Sequence, residues 1–282
     1  MWIKADGLAA GKGAIIAESV PDAIEILSNL MEKKTMGVAG EKVIIQEHLT
    51  GREMSAFAFS DRRTVVPIAS ACDYKRVYDD DQGPNTGGMG SYSPPEFTSP
   101  QLEKTVLDKI MKPTVKAMVD ENSAFQGVLY GGLVITSEGP KVIEFNARFG
   151  DPEAQVILPR LKTDLLEIIL AAVNGRLDQT KIECSNDACV GVAMAPGGYP
   201  GSYETGFPIS GLDTLDKDIT VFHAGTRLGP DGQVLTSGGR VLTVVAMGKT
   251  LAQAREKVYA NISKIKFEGS HYRKDIALIK SK

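Results

Sequence analysis

Cysteine is scarce in this sequence of 282 residues, and the three present, Cys72, Cys184 and Cys189, are odd in number and form no CxxC pair. No disulfide framework is expected, and a reducing, cytoplasmic setting follows. An apolar leader with a charged start is missing, and apolar runs such as Val241 to Met247 fall far short of the roughly 20 residues that span a bilayer. Positive charge is not in excess either: a net charge of -3 leaves no electrostatic footprint for nucleic acid. Membrane and nucleic-acid roles are therefore not expected. Repeats and low-complexity tracts are absent, and 43% hydrophobic with 24% charged residues over this length suits two domains with proper cores.

Familiar nucleotide signatures are also lacking. Asp6 to Gly13 (DGLAAGKG) has the glycines of a loop whose backbone N–H groups can approach phosphate, with Lys4 and Lys12 as charge. It is not a Walker A loop, because only three residues separate Gly7 from Gly11 and Gly13 stands where Ser or Thr would meet magnesium. Nor is it GxGxxG, since Ile16 fills the last glycine's place. The residues alone leave a phosphate loop and a plain turn equally open. No nucleophile, triad or catalytic histidine stands out, and His223 reads as a packed or hydrogen-bonded residue.

What is there centres on Val142 to Glu153, VIEFNARFGDPE. Strand alternation puts Ile143, Phe145 and Ala147 on one face, expected to be core, and Glu144, Asn146 and Arg148 on the other. A carboxylate, an amide oxygen and a guanidinium in a row suit a magnesium ion and an anion. Asp151 is expected to cap a helix with Pro152 at its first position, giving a helix N-terminus that favours anions.

Around this stretch, Ile24, Leu27 and Met31 predict a helix over Pro21 to Lys34. Lys42 to Leu49 and Arg52 to Ser60 read as a hairpin through Thr50-Gly51, followed by a strand at Thr64 to Ala71. Asp73 to Gly90 reads as a long functional loop in which Asp79 to Asp81 are a solvated charge run, while Asn85, Thr86, Gly87 and Gly88 can wrap a small polar substrate. Ser99 and Pro100 open a helix buried through Leu102, Val106 and Ile110 and kinked at Pro113. Val128 to Thr136 and Lys141 to Arg148 form a hairpin, and a boundary is expected within 176 to 188. Strands at Ala188 to Ala195, Ile219 to Ala224 and Arg240 to Gly248, with a helix at Leu251 to Ile262, make the last unit.

These segments resemble the ATP-grasp ligases, and among them the glycinamide ribonucleotide synthetase family. RFGDPEAQ (Arg148 to Gln155) is similar to the family signature, accompanied in order by KADGLAAGKG (Lys4 to Gly13), QEHLTGRE (Gln46 to Glu53) and GPNTGGMGSYSP (Gly83 to Pro94). APGGYPGSY, FHAGT and SGGRVLTV are similar to its last domain. The resemblance implies an α/β (α+β) architecture: an ATP-grasp fold with a lid subdomain and an antiparallel-sheet subdomain flanked by helices, then a small C-terminal α/β domain. The expected divisions are 1–60, 61–180 and 181–282.

The resemblance further implies ATP-dependent joining of glycine to 5-phosphoribosylamine through glycyl phosphate, in purine synthesis. ATP and magnesium (or manganese) would be the cofactors, and small molecules the partners of a monomer or weak homodimer. Glu144 and Asn146 would hold the metal. Lys4 would contact the phosphates and, with Arg148, act catalytically; Gly11, Lys12 and Gly13 would fold over them; Glu47, Leu49 and Glu53 would hold adenine and ribose. Asp73, Lys75, the Asn85 to Gly88 turn, Arg148 and Asp151 would face the other substrates. An ion pair of Arg148 with Asp151 or Glu153 is the alternative for that arginine, as capping is for Asp151. Other enzyme readings are a different ATP-grasp ligase or carboxylase, and outside enzymes a non-catalytic nucleotide-binding fragment. Since the family carries a preceding domain with another phosphate-binding lysine, the opening MWIKADG is expected to mark a fragment with low activity of its own.

Overall fold

The computed structural model describes residues 1–9 and 13–279. The chain forms two units, Met1–Gly51 and Arg52–Lys282.

In the first unit, three short strands make an antiparallel sheet in the order Ala14–Ile16, Trp2–Ala5, Val43–Gln46. Period-two alternation turns Ile3 inward, where it meets Ala17, Ala23, Ile26 and Leu30. The helix Val20–Leu27 starts where Ser19 accepts the Asp22 N–H, and it runs on into a π turn at Ser28–Glu32. Its buried stripe is Ala23, Ile26 and Leu30, whereas Ile24 and Met31 face solvent. The sequence offers two overlapping apolar stripes here, and contact with Ile3 and Ala17 selects the one with i, i+3, i+7 spacing. The expected hairpin through Thr50-Gly51 does not form. Val43–Gln46 pairs with Trp2–Ala5 in the first unit, while Arg52–Asp61 is built into the second, so the first unit ends at Gly51 and not at 60.

The second unit holds a four-stranded antiparallel sheet ordered Gly139–Asn146, Gln126–Thr136, Arg52–Asp61, Val65–Pro67. Arg52–Asp61 is covered on both faces. Met54, Ala56 and Ala58 meet Val106, Ile110, Met111 and Val115, whereas Phe57 packs with Val156 and Ile157, and Phe59 with Ile168 and Ala172. The first cover is a helix capped by Ser99, running Pro100–Val106, through a π turn at Leu107–Met111, and on as Lys112–Asp120. The π turn sits just ahead of Pro113, whose missing N–H would otherwise interrupt the ladder. On the other face lie Ala154–Ile157 and Leu165–Val173, the latter capped by Asp164 and ended by Gly175 at φ 66°.

A second sheet runs Ile219–His223, Leu242–Gly248, Ala188–Pro196, Gly90–Ser93, Cys72–Asp73, with Ser270–His271 added to Ala188–Pro196. The helix Leu251–Ile262 covers one face through Ala254, Val258 and Ile262. This sheet takes strands from both sides of the boundary expected at 176 to 188, so Arg52 to Lys282 closes as one body. Most of the long Asp73 to Gly90 loop is in fact a hairpin, Arg76–Tyr78 with Gln82–Asn85. Of its aspartates, Asp80 and Asp81 are solvent-exposed as expected, but the run is also paired: Asp81 meets the fully buried Arg273, and Asp79 accepts the Lys274 N–H. His223 is hydrogen-bonded to Thr226 at 3.0 Å, and all three cysteines are free thiols. Among the described residues no helix is long and apolar enough to cross a membrane.

Candidate active site

Register fixes which side chains converge. In the four-stranded sheet Tyr130 lies opposite Asn146 and Phe57, Gly132 opposite Glu144 and Ser55, and Val134 opposite Glu53. Directly opposed residues share a face, so Glu53, Ser55, Tyr130, Glu144 and Asn146 stand together. Gly132 leaves a gap between Glu144 and Ser55; a Cβ there would lie 3.4 Å from both the Glu144 Cγ and the Tyr130 ring. The same face is core farther along, where Phe57 meets the Ala154–Ile157 helix.

The Glu144 and Asn146 pair is where alternation puts it, with the Asn146 Nδ2 donating to Glu144 Oε1 at 3.1 Å. The core expected opposite them is not there: Phe145 is 40% exposed and Ala147 is also open to solvent. Two features account for this. Gly139–Asn146 is an edge strand, and a bulge at Ile143 lets Val142, opposite Leu133, supply the core contact instead. The strand stops at Asn146, so Arg148 lies beyond it, exposed, donating to the Phe149 carbonyl at 2.8 Å.

Asp151 does not cap a helix. The helix begins at Ala154, with Glu153 in the cap position and no side-chain cap bond, and at four residues it makes no anion site. The Asp151 carboxylate instead takes a two-pronged contact from Arg240, Nη1 to Oδ1 at 3.0 Å and Nη2 to Oδ2 at 2.6 Å, and a third bond from Gln155 at 3.0 Å. An ion pair between Arg148 and Asp151 is thereby replaced. Glu153, the other suggested partner, is buried and accepts from Ser55 at 2.9 Å; with that hydroxyl proton committed, the Tyr130 O–H donates to Ser55 Oγ at 3.0 Å. Burial beside Glu153 raises the Tyr130 hydroxyl's pKa, so it stays protonated as a donor.

Next to this row, Lys75 bonds Glu53 at 3.1 Å. Burial, aided by Glu153 and Glu53 and only partly countered by Lys75, pushes the Asp73 carboxyl up to about 6. Lys75 is held charged: burial works against its charge, but Asp73 and Glu53 outweigh it. An acid whose folded pKa exceeds its ordinary 3.8 contributes stability that is full below that value and is lost as pH rises through about 6. Asp73→Asn is therefore expected to gain on the wild type across that window, ending roughly 1–3 kcal/mol more stable above pH 6. Urea unfolding at both ends of the window checks this; an unchanged difference between them would contradict it.

The Asn85 to Gly88 turn sits against the same row. Thr86 donates N–H and hydroxyl to the Lys75 carbonyl at 2.7 and 2.8 Å, and its Oγ1 accepts the Gly88 N–H at 2.9 Å. Gly88 has φ +114°, and a Cβ there would lie 2.3 Å from Pro152 Cδ. Gly88→Ala is expected to cost about 2 kcal/mol or more in thermal unfolding, from backbone strain and clash together; a loss within about 0.5 kcal/mol would show that the turn gives way freely.

In the first unit, Lys4 is half-buried on the outer sheet face with Trp2, Ala14, Ile16, Ile44 and Gln46. Ile16 and Ile44 are exposed, and Trp2 stacks with His48 at 6.2 Å. An apolar sheet face with one lysine can cover a flat ring and meet an anion. Glu47 is exposed and Leu49 half-buried just past that sheet, and Gly13 accepts the Ala5 N–H at 2.8 Å. Gly11 and Lys12 lie outside the described residues.

Arg240, Tyr130, Ser55 and the buried acceptor role of Glu153 were not foreseen. Arg240 and Glu153 lie inside recognisable motifs, but spacing carries no sign that their partners are 89 and 98 residues away.

Residues 1–154 match the model of the phosphoribosylglycinamide synthetase ATP-grasp (A) domain, and residues 189–279 that of its C domain. The chain is 50% identical over 275 residues to a phosphoribosylamine–glycine ligase of Halalkalibacterium halodurans, covering 97% of this chain and 63% of that protein. It is 51% identical to one of Caldanaerobacter subterraneus, covering 98% and 66%. The chain thus spans a little under two thirds of these relatives. The crystal structure of a phosphoribosylamine–glycine ligase from Thermotoga maritima superposes with a TM-score of 0.86 at 36% identity, covering 98% of this chain and 68% of that one. The chain belongs to the phosphoribosylglycinamide synthetase family, with an ATP-grasp fold followed by the family's C domain.

Proposed function

We propose that this chain works in the ligation of glycine to 5-phosphoribosylamine, giving glycinamide ribonucleotide, ADP and phosphate. A glycine carboxylate oxygen attacks the γ-phosphorus and ADP leaves; the ribosylamine nitrogen then attacks the acyl carbon of glycyl phosphate and phosphate leaves, its spare proton passing to solvent. Such chemistry needs positioning and charge neutralisation more than a nucleophile. Family membership supports this reading.

The observation that carries it is the Glu144 and Asn146 pair beside a row of fixed polar groups. A carboxylate and an amide oxygen form the hard donor set that magnesium prefers, and Glu144 is exposed where an ion can reach it. Bound there, magnesium or manganese would neutralise phosphate charge. Lys4, with Gly11, Lys12 and Gly13, would hold the phosphates, and Glu47, Leu49 and Glu53 the nucleoside. Arg148 would neutralise the glycine carboxylate or the transferring phosphoryl group. Asp73, Lys75 and the Asn85 to Gly88 turn would receive the amine-bearing substrates, the lysine held charged and the aspartate close to its titration point near neutral pH. Soluble small-molecule substrates and a cytoplasmic setting accord with free thiols.

Trp2 is the sole tryptophan and shares its sheet face with Lys4, so nucleotide binding should be visible in its fluorescence. Titrating ATP in magnesium and again in EDTA is expected to give a saturable change that EDTA weakens; no response to ATP in either, with calorimetry agreeing, would overturn the proposal.

A further inference from the structure

Arg240 comes from the C domain, yet its guanidinium is spent on groups of the ATP-grasp domain. The side chain is only 19% exposed. Besides the fork onto Asp151, Nη1 lies 3.4 Å from both the Gly88 and Asp151 carbonyl oxygens. The turn it holds carries no side chain where the guanidinium enters: a Cβ on Gly87 would lie 2.9 Å from Arg240 Nη2. A second C-domain group closes the other side. The Tyr199 hydroxyl accepts the Gly87 N–H at 3.2 Å, and the Tyr199 ring lies against Gly239, where a Cβ would be 2.5 Å from Cε2.

The Asp151 carboxylate accepts three hydrogen bonds, two from Arg240 and one from Gln155, so that most of its acceptor sites are engaged within the protein although its side chain is 57% exposed. Resting on the reading of the Asn85 to Gly88 turn as a substrate-facing element, we propose that Arg240 is a positioning residue: through Asp151 and the Gly88 carbonyl it sets the turn that receives the ribosyl substrate, and Asp151 acts through Arg240 and not on the ligand. Only a planar fork reaches both carboxylate oxygens and the carbonyls together, so lysine is not an equivalent.

The test is calorimetric titration of glycinamide ribonucleotide, with magnesium ADP present, into the full chain and its Arg240→Ala and Arg240→Lys variants. Both variants are expected to bind roughly 10–100-fold more weakly than wild type, as loss of charge-assisted hydrogen bonds implies. Millimolar guanidinium should restore most of the Arg240→Ala affinity while ammonium should not; a variant weakened by general loosening would respond to neither. Equal affinity of wild type and Arg240→Lys, or failure of guanidinium to restore a folded Arg240→Ala, would overturn the positioning role. If Arg240→Ala does not fold, Arg240→Lys decides alone. No binding by the wild type would overturn the proposed function itself, a result distinct from either.

Discussion

Arg273→Ala is expected to destabilise the second unit by about 3–5 kcal/mol, the range for removing one partner of a buried charge cluster. The Arg273 side chain is wholly buried, yet every arm is engaged: Nε and Nη2 on Asp275 at 2.8 and 2.6 Å, Nη1 on Asp81 at 2.8 Å and on the Arg76 carbonyl at 3.0 Å. Its guanidinium also lies 4.7 Å from the Tyr74 ring centre. Burial works against the charge, but Asp275 and Asp81 more than compensate, so the arginine stays ionised. Removing it leaves Asp275, itself mostly buried, facing Asp81 without a cation. It also frees the Arg76–Tyr78 and Gln82–Asn85 hairpin, whose second strand leads into the Asn85 to Gly88 turn. Thermal unfolding followed by circular dichroism should show a midpoint lower by roughly 6–20 °C. A drop of only a degree or two would mean that the cluster contributes no more than a surface pair.

The second large effect is on the metal. With Glu144 and Asn146 both changed to alanine, nucleotide affinity in magnesium is expected to fall to the value seen in EDTA. The loss should be about 100-fold, since even groups one shell behind a metal's ligands are worth 10–100-fold. The fold should survive, because both side chains lie on an edge strand with their principal contact to one another. Glu144→Gln alone is expected to fall between, keeping an oxygen but losing the charge. Metal-dependent ATP binding that is unchanged in the double variant would refute the assignment of these two residues.

Much of this was legible in the sequence where one local rule governs. Ser99-Pro100 announces a helix because capping involves only neighbours, and the cap forms. Glu144 and Asn146 share a face because the strand period alone decides it. Errors arose where distant partners choose between local options. Asp151-Pro152 has the residues of a helix start, but Arg240 claims the carboxylate and the helix begins at Ala154. Arg52–Asp61 follows a turn-like Thr50-Gly51, yet its partners are Gln126–Thr136 and Val65–Pro67, which no spacing reveals. Phe145 looked like core because alternation is blind to the bulge at Ile143 and to the strand's place at the sheet edge. The pairing of Asp79 and Asp81 went unseen because their partners, Lys274 and Arg273, come almost 200 residues later.

The account's central claim is that this site activates a glycine carboxylate with ATP, and hydroxylamine trapping tests it without the ribosylamine. Incubating the chain with magnesium ATP, glycine and hydroxylamine should yield glycine hydroxamate and ADP in equal amounts. The yield should be abolished by omitting glycine or by the Glu144→Ala, Asn146→Ala pair. ADP released without hydroxamate, or no glycine-dependent ADP from a chain that binds magnesium ATP, would contradict it.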